Sequence, residues 1–186
     1  MEKEKLTIKL KTLTPIWTGD AFGESNKIKS QSIYGGLRYW FELYCKSVGI
    51  VVKDFENEEL DKKMYIKEMD DIINSQNNFG IDEVKKIIMN NCGITLTSQI
   101  FGCKGLKGDL EIIDINSNKK IINKNNIDFR FLNMNIKFWM NKIFFNNAEN
   151  LECHLDLVLK VKLSHHYIRE FKRFLKYYED KIILIG

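Results

Sequence analysis

Several things are scarce in this sequence, and most of these scarcities exclude something. There is one proline, Pro15, set against abundant Asn, Ile and Lys, a bias we assign to coding composition rather than function. The four cysteines, Cys45, Cys92, Cys103 and Cys153, are scattered and form no CxxC pair. In an intracellular chain they are expected reduced and buried, and no metal site is expected. No run of eighteen apolar residues exists, which excludes an ordinary membrane-spanning helix. The N-terminus MEKEKLTIKL lacks the apolar core of a signal peptide, so a cytoplasmic protein without membrane contact is expected. No GKS or GKT phosphate loop and no HExxH motif occurs, so nucleotide hydrolysis and metalloprotease chemistry lack support and no cofactor is expected.

What is present is a globular composition, 44% hydrophobic and 29% charged over 186 residues, enough for one domain with a full core. The net charge is +4, unevenly spread. Residues 53–78 carry eight acidic and four basic side chains, leaving the rest of the chain at +8. A basic body with an acidic segment is compatible with a nucleic-acid surface.

KLTIKLKTLTP (5–15) alternates Leu6, Ile8 and Leu10 with Lys and Thr, predicting a half-buried strand closed by Pro15. Residues 53–78 read as a solvated helical insertion with a partial stripe of Met64, Ile66, Met69, Ile72 and Ile73. Residues 82–91 and 94–101 read as helices, the second ended by Gly102. GDLEIIDI (108–115) is a strand, and NSNKK (116–120) a turn into a short KIIN strand. The Asn-rich, aromatic segment 123–150 reads as a projecting arm. LECHLDLVLKVKL (151–163) is the clearest strand, with its odd positions turned inward. SHHYIREFKRFLKYYED then predicts a helix from a Ser164 cap, with a core stripe of Ile168, Phe171, Leu175 and Tyr178; KIILI predicts a last strand. The order reduces to βαββαβ: an α+β, ferredoxin-like (RRM-like) domain over residues 1–186, with the 53–78 insertion and the 123–150 arm.

The first predicted helix poses a question. From a Ser32 cap, Ile33, Leu37, Trp40, Phe41, Tyr44 and Val48 line one face at spacings of three and four. Yet Gly35 and Gly36 fall in its first turn, each costing about 1 kcal/mol against Ala. Two readings are open: the glycines let the helix pack tightly, or they let a phosphate approach bare backbone at a helix start.

LTPIWTGD (13–20), SIYGGLRYWFE (32–42) and SQIFGCKG (98–105) together resemble the RAMP superfamily of CRISPR type III effector complexes. Within it they are most similar to the first-numbered subunit of the type III-B (Cmr) complex, whose members carry TPL-x-TG, GxLRxWxE and LFGC-x-G patterns in that order. The resemblance implies a non-catalytic RNA-binding subunit with CRISPR RNA or target RNA and other RAMP subunits as partners. It favours the phosphate reading of Gly35 and Gly36 and makes Arg38 the first choice for a phosphate contact. The family usually continues into a glycine-rich, Arg-containing loop where this sequence reads KIILIG, so the resemblance implies either a truncated or split member or another chain that supplies that part.

Other candidates keep two readings. Trp17 stacks on a base or plugs the core. Lys104 and Lys107, in the glycine-rich FGCKGLKGD, meet phosphate or sit in a plain turn. Arg169, Arg173 and Lys176, with Lys172, form a basic ridge that binds RNA backbone, meets a neighbouring subunit or is simply solvated. His165 and His166 open the last helix; the alternatives to the RNA-binding reading are a metal-independent endoribonuclease using them, or a protein-binding capping subunit.

Overall fold

The computed structural model describes residues 3–11, 28–54, 57–75, 79–123 and 150–181, without the side chains of 81–83, 122 and 150–155. Pro15, Trp17 and their loop, the 124–149 part of the arm and residues 182–185 of the expected KIILI strand lie outside the described residues.

The elements run β1 (Lys3–Leu10), α1 (Ser30–Ser47), α2 (Lys62–Asn74), α3 (Ile81–Asn91), α4 (Leu96–Phe101), β2 (Gly102–Cys103), β3 (Leu106–Lys107), β4 (Glu111–Asn123), β5 (Asn150–Ser164) and α5 (His165–Tyr177). The three long strands form one sheet in the order β1-β5-β4. Strand β5 thus separates β1 from β4, the two strands that α1 to α4 connect, which is the split βαβ arrangement of ferredoxin-like folds. The fold is α+β with antiparallel sheets, consistent with that expectation.

Two compact units divide the chain: Met1–Leu6, Gln31–Ile113 and Val161–Gly186 in one, Thr7–Ser30 and Asp114–Lys160 in the other. In the first, α1 buries Ile33, Leu37, Phe41, Tyr44 and Cys45, one face at helical spacing. Helix α5 buries Tyr167, Ile168, Phe171 and Phe174. Phe41 stacks on Phe171 at 6.1 Å and meets Phe174 edge-on at 5.3 Å. Rings this close cannot face each other through a sheet, so α1 and α5 pack directly against each other. Val161 and Leu163 of β5 are fully buried in the same unit. In the second unit Ile8, Leu157 and Leu159 are buried, continuing the inward odd positions of β5.

Several expectations change. Helix α1 starts at Ser30, so Ser32 lies inside it rather than capping it. Helix α5 has Ser164 at its N-cap, but the hydroxyl makes no cap bond; it donates to the Asp109 carboxylate at 2.8 Å. Its inward stripe holds Phe174, with Leu175 half-buried beside it. NSNKK is no turn: β4 runs through it. Pairing with β5 gives these residues backbone partners that local turn signals cannot anticipate, and Asp114 accepts from Asn116 two residues on and from Lys160 of β5 at 2.8 and 3.0 Å. In the 53–78 segment, Asp61 caps α2 by accepting from the amides of Lys63 and Met64. Tyr65, Met69 and Ile72 pack on a cluster of Leu60, Ile88, Met89 and Ile94, while Met64, Ile66 and Ile73 stay exposed. Helical spacing explains the choice, since 65, 69 and 72 share one face.

Candidate nucleic-acid interface

The two glycine-bearing motifs meet. Arg38, four residues before Glu42 on α1, donates from Nε to the Glu42 carboxylate at 2.8 Å, from one terminal nitrogen to the Gly102 carbonyl at 2.5 Å, and from the other to Ser98 Oγ at 3.3 Å. Ser98 Oγ donates to the buried carboxylate of Glu58 at 2.6 Å, and Glu58 also accepts from the Thr95 amide and hydroxyl at 2.6 and 2.9 Å. The Tyr34 hydroxyl donates to the Phe101 carbonyl at 3.0 Å, and its ring meets Phe101 edge-on. SIYGGLRYWFE and SQIFGCKG are therefore halves of one junction. Its buried Glu58 carboxylate and Ser98 hydroxyl are both hydrogen-bonded, as burial demands.

Arg38 is consequently an internal clamp; its side chain is only 12% exposed. Gly35 and Gly36 also change role. They are the sixth and seventh residues of α1, so their amides fall within the helix rather than among the four unpaired donors at its start. The anion-site expectation for those amides does not hold. Tight packing does not account for Gly35 either: it is exposed, and a Cβ built there meets nothing within 4 Å.

The glycine-rich turn has a packing explanation. Strands β2 and β3 pair Gly102 with Lys107 and Cys103 with Leu106. The chain then returns so that the amides of Asp109 and Leu110 reach the carbonyls of Gln99 and Ile100 at 3.1 and 2.9 Å, supplying the end of α4 with donors. That return brings backbones together. A Cβ on Gly108 would stand 2.4 Å from the Phe101 carbonyl carbon, and one on Gly102, at φ 89°, 2.8 Å from the Gly108 amide nitrogen. Lys104 on the turn pairs with Glu59 at 2.7 Å, and the exposed Lys107 helps hold the Glu111 carboxyl below its ordinary value, after the hydrogen bond and charge of Lys3.

Asp109 and Glu58 were invisible as site residues in the sequence. Both are buried carboxylates recognisable only from what folds around them. Burial opposes the charge on Asp109, yet the Ser164 amide and hydroxyl and the Lys85 ammonium outweigh it and hold its carboxyl below the usual range. Burial pushes the Cys45 thiol up to about 11, which keeps it protonated and inert. Tyr44 is pushed up to about 12 by burial and by donating its hydroxyl to Glu170.

On α5 the predicted ridge is real. Arg169, Lys172, Arg173 and Lys176 are all exposed, opposite the buried Phe171 and Phe174. Lys172 pairs with Glu4 at 2.6 Å and Arg173 with Glu170 at 3.0 Å. His165 stands beside Glu4, with 3.9 Å between its Nδ1 and the carboxylate, and the His166 ring meets Tyr167. Among the described residues, no three His, Cys, Asp or Glu side chains are grouped to hold a metal ion, and no helix is long and apolar enough to cross a membrane.

A split βαβ sheet, helices that pack on one another through a shared aromatic core, and two interlocked glycine motifs define an α+β protein of the ferredoxin-like class. The chain belongs to the RAMP superfamily, whose family model matches residues 9–184. Membership implies a CRISPR-associated function. No curated protein matches the chain.

Proposed function

We propose that the chain is a non-catalytic RNA-binding subunit of a type III-B CRISPR effector complex, working beside other RAMP subunits in the cytoplasm. It holds guide or target RNA by the backbone, and guide pairing supplies the specificity. The observation that supports this best is the α5 ridge. Arg169, Arg173 and Lys176 are exposed cations on a helix whose opposite face is fixed in the core. Fixed cations meet phosphates at a smaller ordering cost than mobile ones. The contact assigned to Arg38 moves to this ridge, because the Arg38 guanidinium already serves Glu42, Ser98 and Gly102. Lys107 remains a secondary candidate.

The test is labelled single-stranded RNA incubated with the full chain at several salt concentrations. Binding without cleavage is expected. Replacing Arg169, Arg173 and Lys176 together with Ala should flatten the log–log salt slope by about 2 units, at roughly 0.7 per lost phosphate contact. Cleavage abolished by His165→Ala with His166→Ala would instead favour the endoribonuclease. Neither binding nor cleavage, alone or in the assembled complex, would favour the capping subunit.

A further inference from the structure

We propose that the aromatic line Tyr39–Trp40–Tyr178–Tyr177 is a stacking site for an unpaired RNA base, beside the bare backbone of Gly35 and at the end of the α5 ridge. The inference rests on the RNA-binding reading and adds a base contact to a backbone one.

The rings form a continuous run across α1 and the end of α5. Tyr39 meets Trp40 at 5.4 Å and 82°, Trp40 meets Tyr178 at 5.3 Å and 73°, and Tyr178 meets Tyr177 at 4.9 Å and 82°. Such edge-to-face contacts hold each ring through its neighbour, so stacking on one of them orders little that is not already ordered. Single exposed aromatics are ordinary on protein surfaces, but four in contact are not. The two ends of the run are its most exposed rings, Tyr39 at 56% and Tyr177 at 40%, and one face of the Tyr177 ring carries Lys181.

Two features select a nucleotide as the occupant. Gly35 lies one turn before Tyr39 on the exposed face of α1, so the backbone that precedes this ring is bare. With no atom within 4 Å of a Cβ position there, the helix leaves room for a flat group on the same exposed face as Tyr39. That gives the exposed glycine a use, which packing within the chain does not. The second feature is charge. Arg169, Arg173 and Tyr177 recur at every fourth position of α5, one line along the helix, so a strand whose phosphates follow the arginines arrives at the rings. Lys181 Nζ sits 3.7 Å from the centre of the Tyr177 ring, adding a cation at that end. Of the neighbouring acids, Glu170 is occupied by Tyr44 and Arg173, while Glu179 and Asp180 lie in the turn between Tyr178 and Lys181 and bound the basic surface.

The experiment measures affinity for oligouridine and oligoadenosine of equal length, across salt concentrations, for the full chain and its Tyr39→Ala, Tyr177→Ala and Tyr39→Phe variants. Stacking on one such ring is worth about five- to tenfold in affinity, the low end of measured values. Tyr39→Ala and Tyr177→Ala should lose that much with an unchanged salt slope, because no phosphate contact is removed. Tyr39→Phe should bind like the wild type. If the wild type binds RNA and the alanine variants bind equally well, the platform is wrong and the RNA-binding reading stands. Should the wild type bind neither RNA, alone or in the complex, both fall. Variants that keep RNA but lose a neighbouring RAMP subunit on gel filtration would make the patch a protein interface and overturn the proposal.

Discussion

Arg38 and Arg173 lie on helices that pack against each other, and each pairs with a glutamate on its own helix, yet they do opposite things. Arg38 faces the junction between α1 and the β2–β3 turn, where a glutamate, a hydroxyl and a carbonyl take up its donors and leave 12% of its side chain exposed. Arg173 faces outward, 60% exposed, with Glu170 three residues earlier as its ion-pair partner. An exposed pair of that kind is worth about 0–1 kcal/mol and leaves the guanidinium available to phosphate. A satisfied, buried arginine is part of the fold. The comparison teaches that a motif arginine is assigned to a ligand only after its partners within the chain are counted.

The sharpest way to break the junction is to thicken its closest approach. Gly108→Ala should destabilise the protein by about 3 kcal/mol, since the new Cβ meets backbone that cannot step aside. Urea unfolding measures this; a loss under 1 kcal/mol would show that the two backbones separate easily. Next in size, Arg38→Ala should cost about 2 kcal/mol by stranding the Gly102 carbonyl and the Glu42 carboxylate. RNA affinity of the folded variant should be unchanged, and a flattened salt slope would return Arg38 to the RNA.

The pH dependence comes third. The folded-state Asp109 carboxyl titrates below its unfolded value, so its stabilisation is complete above the ordinary Asp range and is lost as pH falls through the lower, folded value. Unfolding followed from neutral pH downward should show stability declining over that interval, and Asp109→Asn should weaken this decline. The smallest effect is a gain. Gly35→Ala should stabilise the chain by roughly 0.5–1 kcal/mol, because the methyl group meets nothing and the helix gains a better former. If the exposed face of α1 carries RNA, the same variant binds RNA more weakly while melting at a higher temperature; tighter folding with unchanged binding would place the RNA elsewhere.

Much of the fold was legible because its elements follow their periods strictly. The three- and four-residue spacing of Ile33, Leu37, Phe41 and Tyr44 needs a helix, and the odd positions of β5 from Leu157 to Leu163 need a half-buried strand. The exposed line of Arg169, Arg173 and Lys176 was legible for the same reason. NSNKK misled because Asn and Ser favour turns locally, while a strand edge accepts them wherever a neighbour completes the ladder. The α1 start misled by two residues, and that moved Gly35 and Gly36 from open amides to paired ones.

The sequence by itself determined which residues turn inward along each element, that the protein is α+β, and that its motifs are those of the RAMP superfamily. Local periodicity and short spacings carry that information, and both are written in neighbouring residues. Only the tertiary structure decided what the polar residues do. Arg38 meets Gly102 across 64 positions and Ser164 meets Asp109 across 55. Whether a charge is a clamp or a contact depends on partners that distant, because a buried polar group must be satisfied by whatever the fold brings to it.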